Sequence, residues 1–239
     1  MTMSNWIALG AELEEILRLT TPPVAISFSE QRPDQVLAFD DPVPPPMPDG
    51  RTGRVPAGCV FWVKATERTF STVPEDHGNC SVGRLTHGMA TLDGISGNSD
   101  VAELLNSGWV GMDDVVMIPT ISTRPGAVTY GPLREATLPD VVLLRVNGRQ
   151  LMVLSDALPG LRIEGKPQCH VIAIAKEQGE VAASVGCALS RARTGMRVEE
   201  MICAIPAGQL GAVVDKLRRT AAIDAGVARY AAEDARRFA

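Results

Sequence analysis

The chain has 239 residues with 23 basic and 28 acidic side chains, a net charge of −5, and 45% hydrophobic against 21% charged residues. That balance describes a globular chain with one large core. The acidic pI near 5.3 excludes a general nucleic-acid binder, which needs a basic face, and no run reaches the roughly 18 consecutive apolar residues of a membrane span.

Trp6, Leu9, Leu13, Ile16 and Leu17 recur at helical spacing, so an amphipathic helix is expected first, ended by Pro22-Pro23. The same segment has no basic start and no small-residue cleavage site, so no signal peptide is expected and the location is read as cytoplasmic. Residues 24–28 read as a short buried strand. Six prolines fall between Pro42 and Pro56, which makes 31–56 an extended loop, expected to border the functional pocket as a flap. A short helix follows over 59–65 and a strand over 69–73. Asp100 with Glu103 reads as a capping box, and Gly108 as the stop of that helix.

Runs 115–118, 127–130 and 141–146 are β-branched and of strand length. Residues 147–158 suggest a helix, and 170–175, 181–185 and 201–205 further strands. From Pro206 the pattern is helical, with a terminal helix over 221–238. Its stripe of Val227, Tyr230 and Ala231 is assigned to stability or to contact within a homo-oligomer. Seven or eight strands with helices in no strict βαβ order predict an α+β class: mixed sheet with helices, one domain over 1–239. A faint echo between 113–119 and 199–206 raises an internal duplication.

Familiar nucleotide and hydrolase signatures are absent: no GxGxxG after a strand, no GxxxxGK[ST], no GxSxG and no HExxH. With three histidines, a His-rich zinc site cannot be built, and five cysteines remain. Cys59 follows Ala57-Gly58. Cys80 sits in His77-Gly-Asn-Cys80-Ser-Val-Gly83, and Cys187 in Ser184-Val-Gly186-Cys187-Ala-Leu-Ser-Arg191. Two of these look set to open a helix, where free amides favour a thiolate, and glycine lets a bulky group approach the backbone. Thiolate is the preferred ligand of iron–sulfur and other soft-metal sites.

The structural readings stand beside these. Cys203 in Met201-Ile-Cys-Ala-Ile205 is assigned to the core, and core packing is favoured for Cys169. His77 is the candidate proton donor or ligand, His87 is assigned a structural role, and Arg124 and Arg191 are expected to pair with nearby acids.

The string Cys59-Val-Phe-Trp62…Ala65, His77-Gly-Asn-Cys80-Ser-Val-Gly83…Gly88, Pro139-Asp140-Val-Val and Gly186-Cys187…Arg191…Glu200…Ile205-Pro206 resembles the DUF169 family. The resemblance runs from Pro22 to about Leu210. That family, found in bacteria and archaea, is one of unknown function, so the resemblance implies no reaction. It does imply that Cys59, Cys80 and Cys187 belong to one pattern.

The leading expectation is therefore a redox cofactor on Cys59, Cys80 and Cys187, with an iron–sulfur cluster as its concrete form and haem as the variant, serving an oxidoreductase or lyase acting on a small-molecule substrate. Two rivals stay open. One is a metal-free cysteine-nucleophile enzyme with His77 as base, and the other a non-enzymatic small-molecule or metal sensor.

Overall fold

The computed structural model describes residues 3–41, 58–165, 167–194 and 196–238. The described residues form seven strands: β1 (Val24–Ser29), β2 (Phe70–Thr72), β3 (Ala127–Pro132), β4 (Val141–Val146), β5 (Arg162–Glu164), β6 (Ala182–Ser184) and β7 (Met201–Pro206). They make one sheet in the order β2-β3-β1-β4-β7-β6-β5. Only the β5–β6 pair is parallel. The α+β class with a mixed sheet is what the pattern of strands and helices predicted.

The period of two in each strand divides the core between the faces. Ile26, Val128, Tyr130, Leu143, Ile202 and Ala204 point to one side. Ala25, Val142, Leu144, Cys203 and Ile205 point to the other. Because the central strands are covered on both faces, β4 reads Val-Val-Leu-Leu-Arg-Val with hardly a polar residue.

The second face is covered by long helices: α1 (Met3–Leu17), α7 (Gly148–Ala157) and α10 (Leu210–Ala235). Trp6, Leu13 and Leu17 of α1 pack there as the helical spacing requires, with Leu210, Val213, Val214 and Leu217 of α10 beside them. The first face carries short helices: α2 (Gly58–Lys64), α3 (Ser81–Thr86), α4 (Leu92–Ile95), α5 (Ser99–Asn106), α6 (Met112–Val116), α8 (His170–Ala173) and α9 (Ala188–Thr194). None of the described helices is long and apolar enough to cross a membrane.

Several sequence expectations fail for identifiable reasons. Residues 115–118 are not a strand: α6 starts at Gly111, whose N–H is bonded by the Asp114 carboxylate at 2.8 Å. Residues 170–175 are helical, α8 running on as a π-helical turn over Ile174–Gln178 until Gly179 ends it at φ +65°. Both runs are short and apolar, and such runs carry no readable period. With 113–119 helical and 199–206 largely a strand, the echo between them is not a duplication. Asp100 does not cap α5, whose N-cap is Asn98. Of the proline-rich loop, 42–56 lies outside the described residues. The part before it is tied down: Ala38 bridges Ser71, and the Phe39 ring meets Phe61 and Phe70 at 4.9 and 5.1 Å.

Candidate functional site

Four cysteines sit at the starts of four helices on the first face. Cys59 is the second residue of α2, Cys80 is the N-cap of α3, and Cys169 and Cys187 immediately precede α8 and α9. The Cys80 Sγ accepts the Gly83 N–H at 3.4 Å, a thiol doing what serine does at most N-caps. All four line a single cavity of about 30 Å³ together with Trp62, His87, Gln168 and Ser190. No disulfide joins any of the five cysteines. The structure thus brings Cys59, Cys80 and Cys187 together and adds Cys169, which sequence reasoning had assigned to packing.

The supports of these helix starts are specific. Asp100 accepts both the Ser81 N–H (2.9 Å) and its hydroxyl (2.7 Å), and the Asn98 amide donates to the same hydroxyl at 2.8 Å. This fixes the backbone directly after Cys80. The Gln168 amide donates to Ser190 at 2.5 Å, joining the start of α8 to α9. Before Cys187, Gly186 adopts φ +128°, and a Cβ there would come within 1.9 Å of the Arg191 guanidinium. Arg191 donates to the carbonyls of Val185, Val198 and Glu200 at 3.2, 3.2 and 2.7 Å. It is therefore a clamp on the Cys187 segment and pairs with no acid among the described residues. Glu200 is held by Arg145 through two bonds of 2.9 and 2.8 Å. Burial raises the Glu200 carboxyl, but its bonds from Arg145 and the Arg197 N–H hold it below its ordinary value.

The electrostatics of the cavity are those of crowded, buried thiols. Burial pushes the Cys169 thiol well above its ordinary value, and the neighbouring Cys80 raises it further. A hydrogen bond with Thr86 opposes this, and Cys187 and Cys59 add to the rise. Among the described residues no lysine or arginine lines the cavity.

His87 stands at the wall with its Nδ1 2.7 Å from the Gly83 carbonyl. Burial lowers its pKa to about 4, so the ring is neutral at pH 7. Three buried polar atoms of lining residues have no hydrogen-bond partner among the described residues: Trp62 Nε1, His87 Nε2 and Gln168 Oε1. Buried polar groups are nearly always satisfied, so such a cluster marks a place built for something polar.

His77 does not line the cavity. It lies one ring behind, its centroid 5.8 Å from that of His87 and 4.8 Å from Phe61, with Nε2 at 2.9 Å from the Thr72 hydroxyl. Burial, then His87 and Arg84, hold its pKa well below the usual value. Cys203 lies on the opposite face of the sheet, and burial raises its pKa to about 12. Arg124 borders a separate groove of about 440 Å³ with Leu85, Val115, Ile118 and Ile121. Leu85 and the cavity residues Gly83 and His87 project from opposite sides of α3, so groove and cavity are distinct.

The donor set fits a soft metal: thiols with an imidazole, in a wall without competing cations. Among the described residues no three His, Cys, Asp or Glu groups stand as a metal ion would hold them.

The family model of DUF169, described as uncharacterised ArCR, matches residues 12–216. No curated protein and no solved structure matches the chain. With that match covering most of its length, the chain belongs to the DUF169 family.

Proposed function

We propose that this member of the DUF169 family is a cysteine-ligated soft-metal protein, with an iron–sulfur centre as its redox form, working on a small molecule in a reducing compartment. The observation that carries the reading is the meeting of Cys59, Cys80, Cys169 and Cys187, from four separate helix starts, at one cavity. After burial, Cys80, Cys187 and Cys59 raise the cost of ionising Cys169, and a bound cation is a group that reverses this cost. Cysteine thiolates are the usual ligands of iron–sulfur clusters, and iron so held supplies electron transfer.

The size of the site narrows the choice. A space of about 30 Å³ takes one or two water-sized groups. A space of this size suits a single ion once the side chains adjust around it, a cluster requires the four segments to part, and a haem macrocycle exceeds it. The metal-free nucleophile is the weaker reading. It needs an activated thiolate and a base, whereas the Cys169 pKa moves upward and His87 and His77 are both kept from protonation by burial.

The test is metal and acid-labile sulfide analysis of protein purified without oxygen, read beside its near-ultraviolet and visible absorbance. Near-stoichiometric iron or zinc, with thiolate-to-metal absorbance where the metal is iron, is expected. Protein that holds no metal and takes up none from added Fe(II) or Zn(II) contradicts the reading.

A further inference from the structure

His87 was expected to be structural, and its burial agrees with that, but its two ring nitrogens are held differently. A carbonyl oxygen only accepts hydrogen bonds, so the 2.7 Å contact between Nδ1 and the Gly83 carbonyl places the ring's single proton on Nδ1. The lone pair is then on Nε2, a buried atom with no partner among the described residues, on a side chain that lines the cysteine cavity.

Two glycines line this part of the cavity, one of them against the ring. A Cβ on Gly58 would lie 3.4 Å from His87 Cε1 and 3.7 Å from Nε2, and a Cβ on Gly83 would lie 3.4 Å from Cys80 Sγ. Cys80, Gly83 and His87 follow one another at three- and four-residue steps, so they share one side of α3. Gly83 presents no side chain to the Cys80 thiol, and Gly58 presents none to the His87 ring.

We propose that His87, through Nε2, is a nitrogen ligand of the centre, so that the set is mixed thiolate and imidazole; this rests on the soft-metal reading above. A bound imidazole whose other nitrogen donates to a backbone carbonyl is the standard orientation of a metal-ligating histidine. Each thiol must release its proton to solvent as its S–metal bond forms, whereas the His87 nitrogen releases none. A four-coordinate ion then takes Nε2 and the thiolates of Cys59, Cys80 and Cys187.

The experiment loads the metal-free full chain with Co(II) and records absorbance and proton NMR in water. Near-ultraviolet thiolate-to-cobalt bands report the thiols. Together with them, one strongly shifted, solvent-exchangeable proton is expected from the ligating imidazole Nδ1–H, split on ¹⁵N-histidine labelling. It should vanish in His87→Gln, with cobalt affinity at least about tenfold weaker, and persist in His77→Gln and His170→Gln. Should His87→Gln not fold, persistence in the other two variants assigns the wild-type signal by elimination. Cobalt–thiolate bands without that proton, or a proton that survives His87→Gln, overturn the role of His87 and leave the cysteine centre standing. No cobalt–thiolate bands at all overturn both.

Discussion

The two faces of the sheet do different work with the same strands. The face under α1, α7 and α10 is aliphatic, covered by helices of 15, 10 and 26 residues, and its one cysteine is inert packing. The face under α2 to α6, α8 and α9 carries helices of four to eight residues, and it holds all three histidines and four of the five cysteines. Orphaned buried polar atoms gather on it as well: those of Trp62, His77, His87, Tyr130, Gln168 and His170. Long helices bury area efficiently, while short ones supply many starts, and every cysteine of the cavity sits at one. The lesson is a difference of build: one layer buries aliphatic area under long helices, and the other gathers cysteines and histidines at the ends of short ones.

That division is broken if variants on one face produce the effects assigned to the other. Leu144 is fully buried on the aliphatic face. Leu144→Ala is expected to cost about 2–5 kcal/mol in denaturant unfolding, with metal content per folded chain unchanged.

The second largest effect is acid sensitivity of the metal-free protein. His87 and His170 are held neutral in the fold, each with a pKa of about 4 against 6.5 when unfolded. Above pH 6.5 both states are neutral and nothing is lost. As pH falls towards 4 the unfolded chain takes up protons that the folded one refuses, so stability drops, by up to about 3 kcal/mol for each buried ring. Unfolding of wild type and His87→Gln at pH 7 and pH 4.5 checks this: the variant should lose less on acidification. Equal losses would place the acid sensitivity elsewhere.

Cys203→Ala should cost on the order of 1 kcal/mol and leave metal uptake intact, whereas loss of metal would join the two faces chemically. The smallest effect is expected on α10. Ile223, Val227 and Tyr230 are 67%, 60% and 66% exposed, so serine at any of them should move monomer stability by under about 0.5 kcal/mol. Sedimentation of the triple variant then shows whether that stripe serves association: a shift in mass assigns it to contact between copies, and an unchanged mass removes that role.

What the sequence made legible follows from periodicity. The first and last helices and the strands of the central sheet have clear periods of 3.6 or near-continuous β-branched runs, and they stand where expected. The strand β5, Arg-Ile-Glu at the sheet edge, carries too little apolar pattern to be seen. The α6 and α8 segments looked like strands because short buried runs have no face to alternate. That second error hid part of the site. Read as a strand, 170–175 makes Cys169 an interior residue, whereas a helix start after Pro167 puts it beside Cys80 and Cys187. Glycine neighbours gave Cys59, Cys80 and Cys187 away. The weight placed on His77 over His87 came from its position in the Cys80 motif. The four-residue step from Gly83 to His87 was the available signal that His87 faces the thiols.

The central claim, that one face holds a metal at the cavity where cysteines from four segments meet, is tested most directly by metal stoichiometry across a cysteine series prepared without oxygen. The account predicts near-stoichiometric metal in wild type and Cys203→Ala, and its loss in Cys59→Ser, Cys80→Ser and Cys187→Ser with unfolding midpoints of the metal-free forms little changed. Equal metal content in all five proteins, or none in any, would contradict it.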